Sequence, residues 1–167
     1  MESKNTEYKW YALYTKARAE KKVLEQLTQM GIKAYLPLKR VLRQWSDRKK
    51  WVEIPVISSY IFINIPESDY RKVFDARGVV AYVSYKGKAV TIPDHELEAM
   101  RRTVDNDIEF DVQQRNIKEG EEITITSGPL KGVKGIVKEV QGDKKLYISI
   151  SNIGYTLVIN MEDVMKK

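Results

Sequence analysis

Apolar and polar positions alternate with two different periods along this chain, and the changes of period mark its elements. In KWYALYTKA, Trp10 and Tyr14 fall on one parity and Tyr11 and Leu13 on the other, which predicts a central strand. From Arg18 to Met30 the apolar positions Val23, Leu24, Leu27 and Met30 recur at helical spacing, and Gly31 supplies a left-handed stop. Ala34, Leu36 and Leu38 then alternate with Lys33, Tyr35 and Lys39, running through Val41 to a polar tip, QWSDRKKW. Beyond it Val52, Ile54 and Val56 alternate with Trp51, Glu53 and Pro55, so the two runs read as arms of a long β-hairpin. Residues 57–65 predict a further strand, with Ile57, Ile61, Ile63 and Ile65 on one parity and Tyr60, Phe62 and Asn64 on the other.

A second helix is expected from Pro66 to just before Gly78, with Tyr70, Val73 and Phe74 as its apolar side. The strand VVAYVSY follows, then a turn at Lys86-Gly87-Lys88, then a third helix in IPDHELEAMRRTV, opened by Pro93. This β-α-β-β-α-β succession is the ferredoxin-like split βαβ arrangement, an α+β fold in which the antiparallel sheet can carry helices on one face and leave the other bare. If the isoleucines face the helices, Tyr60 and Phe62 project from the opposite side and form an aromatic docking patch.

The stretch DNDIEFDVQQRNIKEG lacks periodicity and reads as a linker. After it EEITITS, KGIVKEV, KLYISIS and YTLVIN are short alternating strands separated by turn signals, a small SH3-like β-barrel. The expected organisation is a front domain over 1–104, a linker over 105–118 and a barrel over 119–167.

Composition narrows the function. The chain has 29 basic and 23 acidic residues, and the excess lies ahead of Phe110. It has no cysteine, which removes disulfides, thiolate metal sites and a cysteine nucleophile and fits a reducing cytoplasmic setting. No apolar run approaches the roughly 20 residues of a membrane span, and MESKNTEYK is too polar for a secretory signal. The single histidine, His95, lies in the first turn of the third helix without a catalytic or metal-binding partner at workable spacing, so neither enzymatic activity nor a cofactor is expected.

The glycines of SGPLKGVKG raise the alternative of a phosphate-gripping loop. A P-loop needs Gly, four residues, then Gly-Lys-Ser/Thr opening a helix, and this stretch has neither. Gly128-Pro129 reads instead as a turn after a strand, with Gly132 and Gly135 where positive φ or close backbone approach is needed. The segment EGEEITITSGPLKGVKGIVKEV resembles a KOW motif, and WYALYTKARAEKKV, SSYIFINI and the Arg77-Gly78-Val79 step are similar in order and spacing to the N-terminal (NGN) domain of NusG-type transcription elongation factors. Within that superfamily the basic hairpin and the region from Trp10 to Lys22 look more like the specialised RfaH-like and UpxY-like antiterminators.

The resemblance implies a transcription elongation and antitermination factor that binds the clamp helices of the largest RNA polymerase subunit and suppresses pausing or termination on particular operons. By position Tyr14, Ile57, Tyr60 and Phe62 match the polymerase-binding surface. Lys16, Lys22 and Arg77 fall near positions that read exposed non-template DNA in RfaH-like relatives, although the His-Thr-Thr element of those relatives is absent around Asp69-Tyr70-Arg71. The hairpin cations Arg40, Arg43, Arg48, Lys49 and Lys50, with Trp45 and Trp51 between them, match a hairpin that lies near upstream DNA. Leu130 replaces the phenylalanine of a GPF turn that housekeeping relatives use toward Rho or the ribosome, which leaves the barrel's partner unassigned. A monomer with a barrel that does not refold is expected, since Ile123 to Thr126 and Tyr147 to Ile150 favour strands. A housekeeping NusG role and a ribosome-associated KOW RNA-binding protein remain the alternatives.

Overall fold

The structure, a computed structural model, describes residues 7–165. It divides into two compact units between Thr91 and Ile92. In the first, β1 (Tyr8–Thr15) leads to α1 (Glu20–Gln29), β2 (Lys33–Tyr35), β3 (Leu38–Gln44), β4 (Lys49–Pro55), β5 (Tyr60–Pro66), β6 (Val79–Tyr82), β7 (Ser84–Tyr85) and β8 (Lys88–Ala89), and the short β9 (Thr91–Ile92) spans the division. Its main sheet has the order β2-β5-β1-β6, the split βαβ topology expected from the sequence. Antiparallel pairing sets Ala12 opposite Phe62 and Tyr14 opposite Tyr60, and on the other side of β5 sets Tyr35 opposite Phe62.

Strand parity decides which side chains meet α1. Tyr11, Leu13, Ile61, Ile63, Ile65 and Tyr82 form one buried cluster with Val23 and Leu27 of α1, as the alternation of the isoleucines predicts. Fully burying aliphatic chains of this size contributes about 1.5–3 kcal/mol each.

Several expected elements take other forms. The second helix is replaced by two 3-10 turns, Glu67–Asp69 and Lys72–Asp75. Tyr70 stacks on Tyr82 at 4.0 Å, and Phe74 meets the same ring edge-on at 5.8 Å. The two turns bring both rings to Tyr82 without forming a continuous helix. The strand expected over 57–65 begins only at Tyr60, because Ser59 takes a left-handed φ of 66° and its carbonyl turns to accept from the Thr15 N–H at 2.9 Å. Ile57 therefore lies in the preceding turn and has no place in the strand's alternation.

The second unit contains α2 (Asp94–Asp105), β10 (Asp111–Gln113), β11 (Glu121–Thr124), β12 (Lys134–Val140), β13 (Asp143–Ile150), β14 (Tyr155–Asn160) and α3 (Met161–Met165). The sheet order is β10-β14-β13-β12-β11, antiparallel throughout. The four strands read from the sequence are present. Two features depart from the expected organisation. The third helix, expected to close a front domain at 104, falls on the barrel's side of the division and packs along β13. The expected linker contains β10, and Ile117 joins a buried cluster with Tyr147 and Val158 of the barrel, while Ile108 and Phe110 are also buried.

Candidate functional site: an aromatic sheet face and basic projections

The sheet face opposite α1 carries Trp10, Ala12 and Tyr14 of β1 beside Tyr60 and Phe62 of β5. Most of its side chains have little solvent exposure, where the sequence reading expects a bare face. Phe62 is 0% exposed, Tyr60 and Ile57 are buried, and only Tyr14, at 38%, remains open. Within the sheet Phe62 is paired with Ala12 on one strand and with Tyr35 on the other, a central position. Tyr14 and Tyr60 pack edge-to-face with centroids 5.0 Å apart, so the exposed ring stands on the buried one. Lys33 places its ammonium 5.7 Å from the buried ring of Trp10.

Lys16, Lys22 and Arg77, all exposed, are brought around one junction. The Lys16 N–H donates to the Gly78 carbonyl at 2.8 Å. Gln26 then brackets Arg77: its carboxamide oxygen accepts from the Arg77 N–H and its Nε2 donates to the Arg77 carbonyl, each at 2.9 Å. The same Nε2 lies 3.2 Å from the Lys22 carbonyl, one turn back along α1. Gln26 is a positioning residue that sequence reasoning missed, because a glutamine on a polar helix face carries no signal of what it reaches. The Lys21 ammonium donates to the Glu53 carbonyl at 2.7 Å and ties α1 to the hairpin.

The hairpin forms from β3 and β4, but its expected first arm is shorter, because Lys33–Tyr35 form β2 and pair with β5 in the main sheet. Its register pairs Arg40 with Glu53, Leu42 with Trp51, Arg43 with Lys50 and Gln44 with Lys49, and the Trp45 N–H donates to the Arg48 carbonyl at 2.7 Å across the tip. Alternation puts Arg40, Lys49 and Trp51 on one face and Arg43 and Lys50 on the other. Arg40 holds its guanidinium 5.2 Å from the Trp51 ring.

In the barrel, the glycine loop is a turn that packs against its own unit. Gly128 and Gly132 have φ of 81° and 87°, and the Gly132 N–H donates to the Ile125 carbonyl at 2.7 Å. Gly135 has no room for a side chain, since an added Cβ would lie 2.8 Å from the Tyr147 carbonyl oxygen. Arg102 of α2 donates to the carbonyls of Pro129 and Lys131, the latter at 2.6 Å. The loop thus offers carbonyls to a cation, the reverse of the N–H groups that cradle a phosphate. Leu130, in the place of the aromatic of other KOW turns, is fully buried. The α2 helix is held at its other end by Glu96, whose carboxylate accepts from the Ser151 N–H at 2.8 Å. A cleft of about 800 Å3 between α2 and the barrel is lined by His95, Glu98, Arg102, Lys134 and Tyr147 among others, and among the described residues no group of three acidic or histidine side chains is placed to hold a metal.

Comparison with known proteins fits this architecture. Residues 8–101 match the family described as transcription termination factor NusG. A protein named transcription termination/antitermination protein NusG from Rickettsia typhi is 23% identical, over 95% of this chain and 89% of its own length. The protein of the same name from Streptococcus pyogenes serotype M1 is 24% identical, over 81% of this chain and 82% of its own. A solved structure titled "Domain interaction in Thermotoga maritima NusG" shares the fold with a TM-score of 0.50 and 22% identity, covering 94% of this chain and 96% of that one. Because the family's pattern spans more than half of the residues, and does so across the split βαβ sheet and its basic hairpin, this chain belongs to the NusG family.

Proposed function

We propose that this protein is a transcription antitermination factor that binds elongating RNA polymerase at the clamp helices of its largest subunit and acts on particular operons. The observation that carries the reading is the Tyr14–Tyr60 pair: an exposed phenol ring set on a buried one, on the sheet face of a NusG-family chain. Tyr14 and the rim of Tyr60 make the contact, while Ile57 and Phe62 lie beneath it as support. Such a surface suits an apolar partner, because a rigid aromatic gives large contact area at small cost in side-chain entropy.

The factor performs no chemistry. Polymerase equilibrates between elongating and paused states, and a ligand that prefers the first shifts the population toward it. A preference of about 1–3 kcal/mol changes the pause equilibrium roughly 5- to 150-fold. Lys16, Lys22 and Arg77 hold phosphates of exposed non-template DNA, and the hairpin cations Arg40, Arg43, Arg48, Lys49 and Lys50 meet nearby nucleic acid. The specialist role rests on the concentration of charge in this hairpin. Occupancy mapped across the genome tests it, with enrichment over one long gene cluster expected and uniform coverage pointing to a housekeeping factor.

Tyr14→Ala tests the polymerase contact. The position is open, so the variant keeps the parent's fold by circular dichroism, and it is expected to lose co-elution with core polymerase. Unchanged co-elution would refute the assignment of this face.

A further inference from the structure

We infer that the β3–β4 hairpin is a reader of unpaired nucleic acid, with bases stacked on the indoles of Trp45 and Trp51 and phosphates held by the cations around them. The inference deepens the proposal that this hairpin meets nucleic acid and rests on it. Three observations carry it. First, Trp45 and Trp51 are 51% and 58% exposed, and Leu42, directly across from Trp51, is also open. Single exposed apolar side chains are ordinary, but two indoles and a leucine on one short hairpin form a patch that water covers poorly.

Second, the hairpin folds against its own charge. Arg43 stands directly opposite Lys50, a like-charge cross-strand pair that weakens a ribbon. Only Asp47 and Glu53 are acidic between Arg40 and Glu53, and among the described residues none of Arg43, Arg48, Lys49 and Lys50 lies within ion-pair distance of a carboxylate. A polyanion relieves that repulsion.

Third, aromatic and cationic groups are interleaved on the same surface. Arg40 sits over Trp51, and Lys49 shares that face. This is the combination that binds single strands, where every base offers a π-face and the guanidinium adds a second planar platform. A two-stranded ribbon can also enter the major groove of a duplex, but there it needs polar side chains directed at base edges. Stacked base pairs present no face to an indole, and a Leu42–Trp51 pair pressed into the groove would find no stacking partner. The geometry therefore favours the unpaired strand over the duplex.

The test uses the whole chain, titrated at fixed salt with oligomers of about 12 nucleotides, a length within the usual footprint of single-strand sites. The probes are oligo-dT, oligo-rU, an abasic strand of the same charge and a duplex, followed by tryptophan fluorescence and by anisotropy of labelled strands. Trp10 is buried, so quenching reports on Trp45 and Trp51. Oligo-dT or oligo-rU is expected to quench the emission and to bind more tightly than the abasic strand or the duplex, and the better of the two names the natural strand. The Trp45→Ala, Trp51→Ala double variant should lose about 25-fold or more in single-strand affinity, the low end for two stacked bases, with its salt dependence and its affinity for the abasic strand unchanged. Arg43→Ala with Lys50→Ala should instead weaken every probe and flatten the salt dependence.

Parental single-strand affinity in the double tryptophan variant would overturn the inference, as would a duplex bound as tightly as the single strand. Polymerase co-elution of the same variant separates this outcome from failure of the Tyr14 surface: it should be retained. If it is lost while strand affinity holds, the hairpin contacts protein and the inference is wrong.

Discussion

Gly135→Ala isolates the close packing of the barrel from the turn chemistry beside it. The added Cβ would stand 2.7 Å from Leu146 Cδ1 and 2.8 Å from the Tyr147 carbonyl oxygen. Leu146 is fully buried but its methyl lies at the end of a rotatable chain. The Tyr147 carbonyl is backbone, in the stretch where Ile136 of β12 pairs with Tyr147 of β13, and cannot turn away. A relaxed carbon–oxygen contact is about 3.3–3.6 Å, so β12 and β13 must part locally by roughly half an ångström. Overpacking of this kind costs about 1–3 kcal/mol. In a unit of this size each kcal/mol lowers the melting temperature by about 4–8 °C, giving an expected loss of roughly 5–20 °C.

Gly132 supplies the control. An added Cβ there meets nothing within 4 Å, and only its φ of 87° penalises a side chain. Asparagine tolerates that region better than alanine. Thermal unfolding by far-UV circular dichroism should therefore rank asparagine above alanine at 132 and below alanine at 135, where bulk decides. The same ranking at both positions, or a Gly135→Ala variant that melts with the parent, would refute the argument that these glycines serve a turn and a tight strand contact for different reasons.

Two further outcomes are expected. Phe62→Ala should destabilise the protein by about 3–5 kcal/mol, because the ring is wholly buried on a central strand; a parental melting curve would show that the ring lies on an open surface after all. Burial is the first cause that raises the Tyr82 phenol above its ordinary 10.0, with Tyr70, Tyr11 and Asp69 adding to it. The folded state thus prefers the neutral phenol, whose proton is donated to the Tyr70 carbonyl at 2.7 Å. Its contribution is whole below pH 10, the unfolded value, and is lost as pH rises toward the higher folded value. Tyr82→Phe should be less stable near neutrality by about 1 kcal/mol for the missing hydrogen bond, yet fall less steeply in alkali. Parallel alkaline slopes would clear Tyr82 of that role.

Much of this protein is written in local periods. A repeat of two residues places Ile61, Ile63 and Ile65 on one side of β5 and Tyr60 and Phe62 on the other, because pleating leaves no alternative. The same rule, with turn residues between strands, marks β11 to β14, and the helical repeat of Val23, Leu24 and Leu27 marks α1. Periodicity says which way a side chain points, but not what lies over it. The burial of Tyr60, Ile57 and Phe62 is therefore a result of tertiary structure, as is the choice of Tyr14 as the open ring.

The remaining departures have the same origin. Three residues of β10 are too few to establish a period, and only pairing with β14 makes them a strand. Residues 66–77 contain apolar positions compatible with a helix, but they fold as two tight turns, with Tyr70 stacked on Tyr82 and Phe74 edge-on to it. An amphipathic stripe commits α2 to burying one face without naming the neighbour; Arg102 and Glu96 reach Lys131 and Ser151 of the barrel across dozens of residues of sequence. Gln26 shows the limit most clearly, since its two bonds to Arg77 depend on where the chain returns and on nothing in its local pattern. Local sterics and solvent preference, short in range along the chain, decided the elements; the pairing of distant residues, which depends on the whole chain having folded, decided which surfaces stayed open.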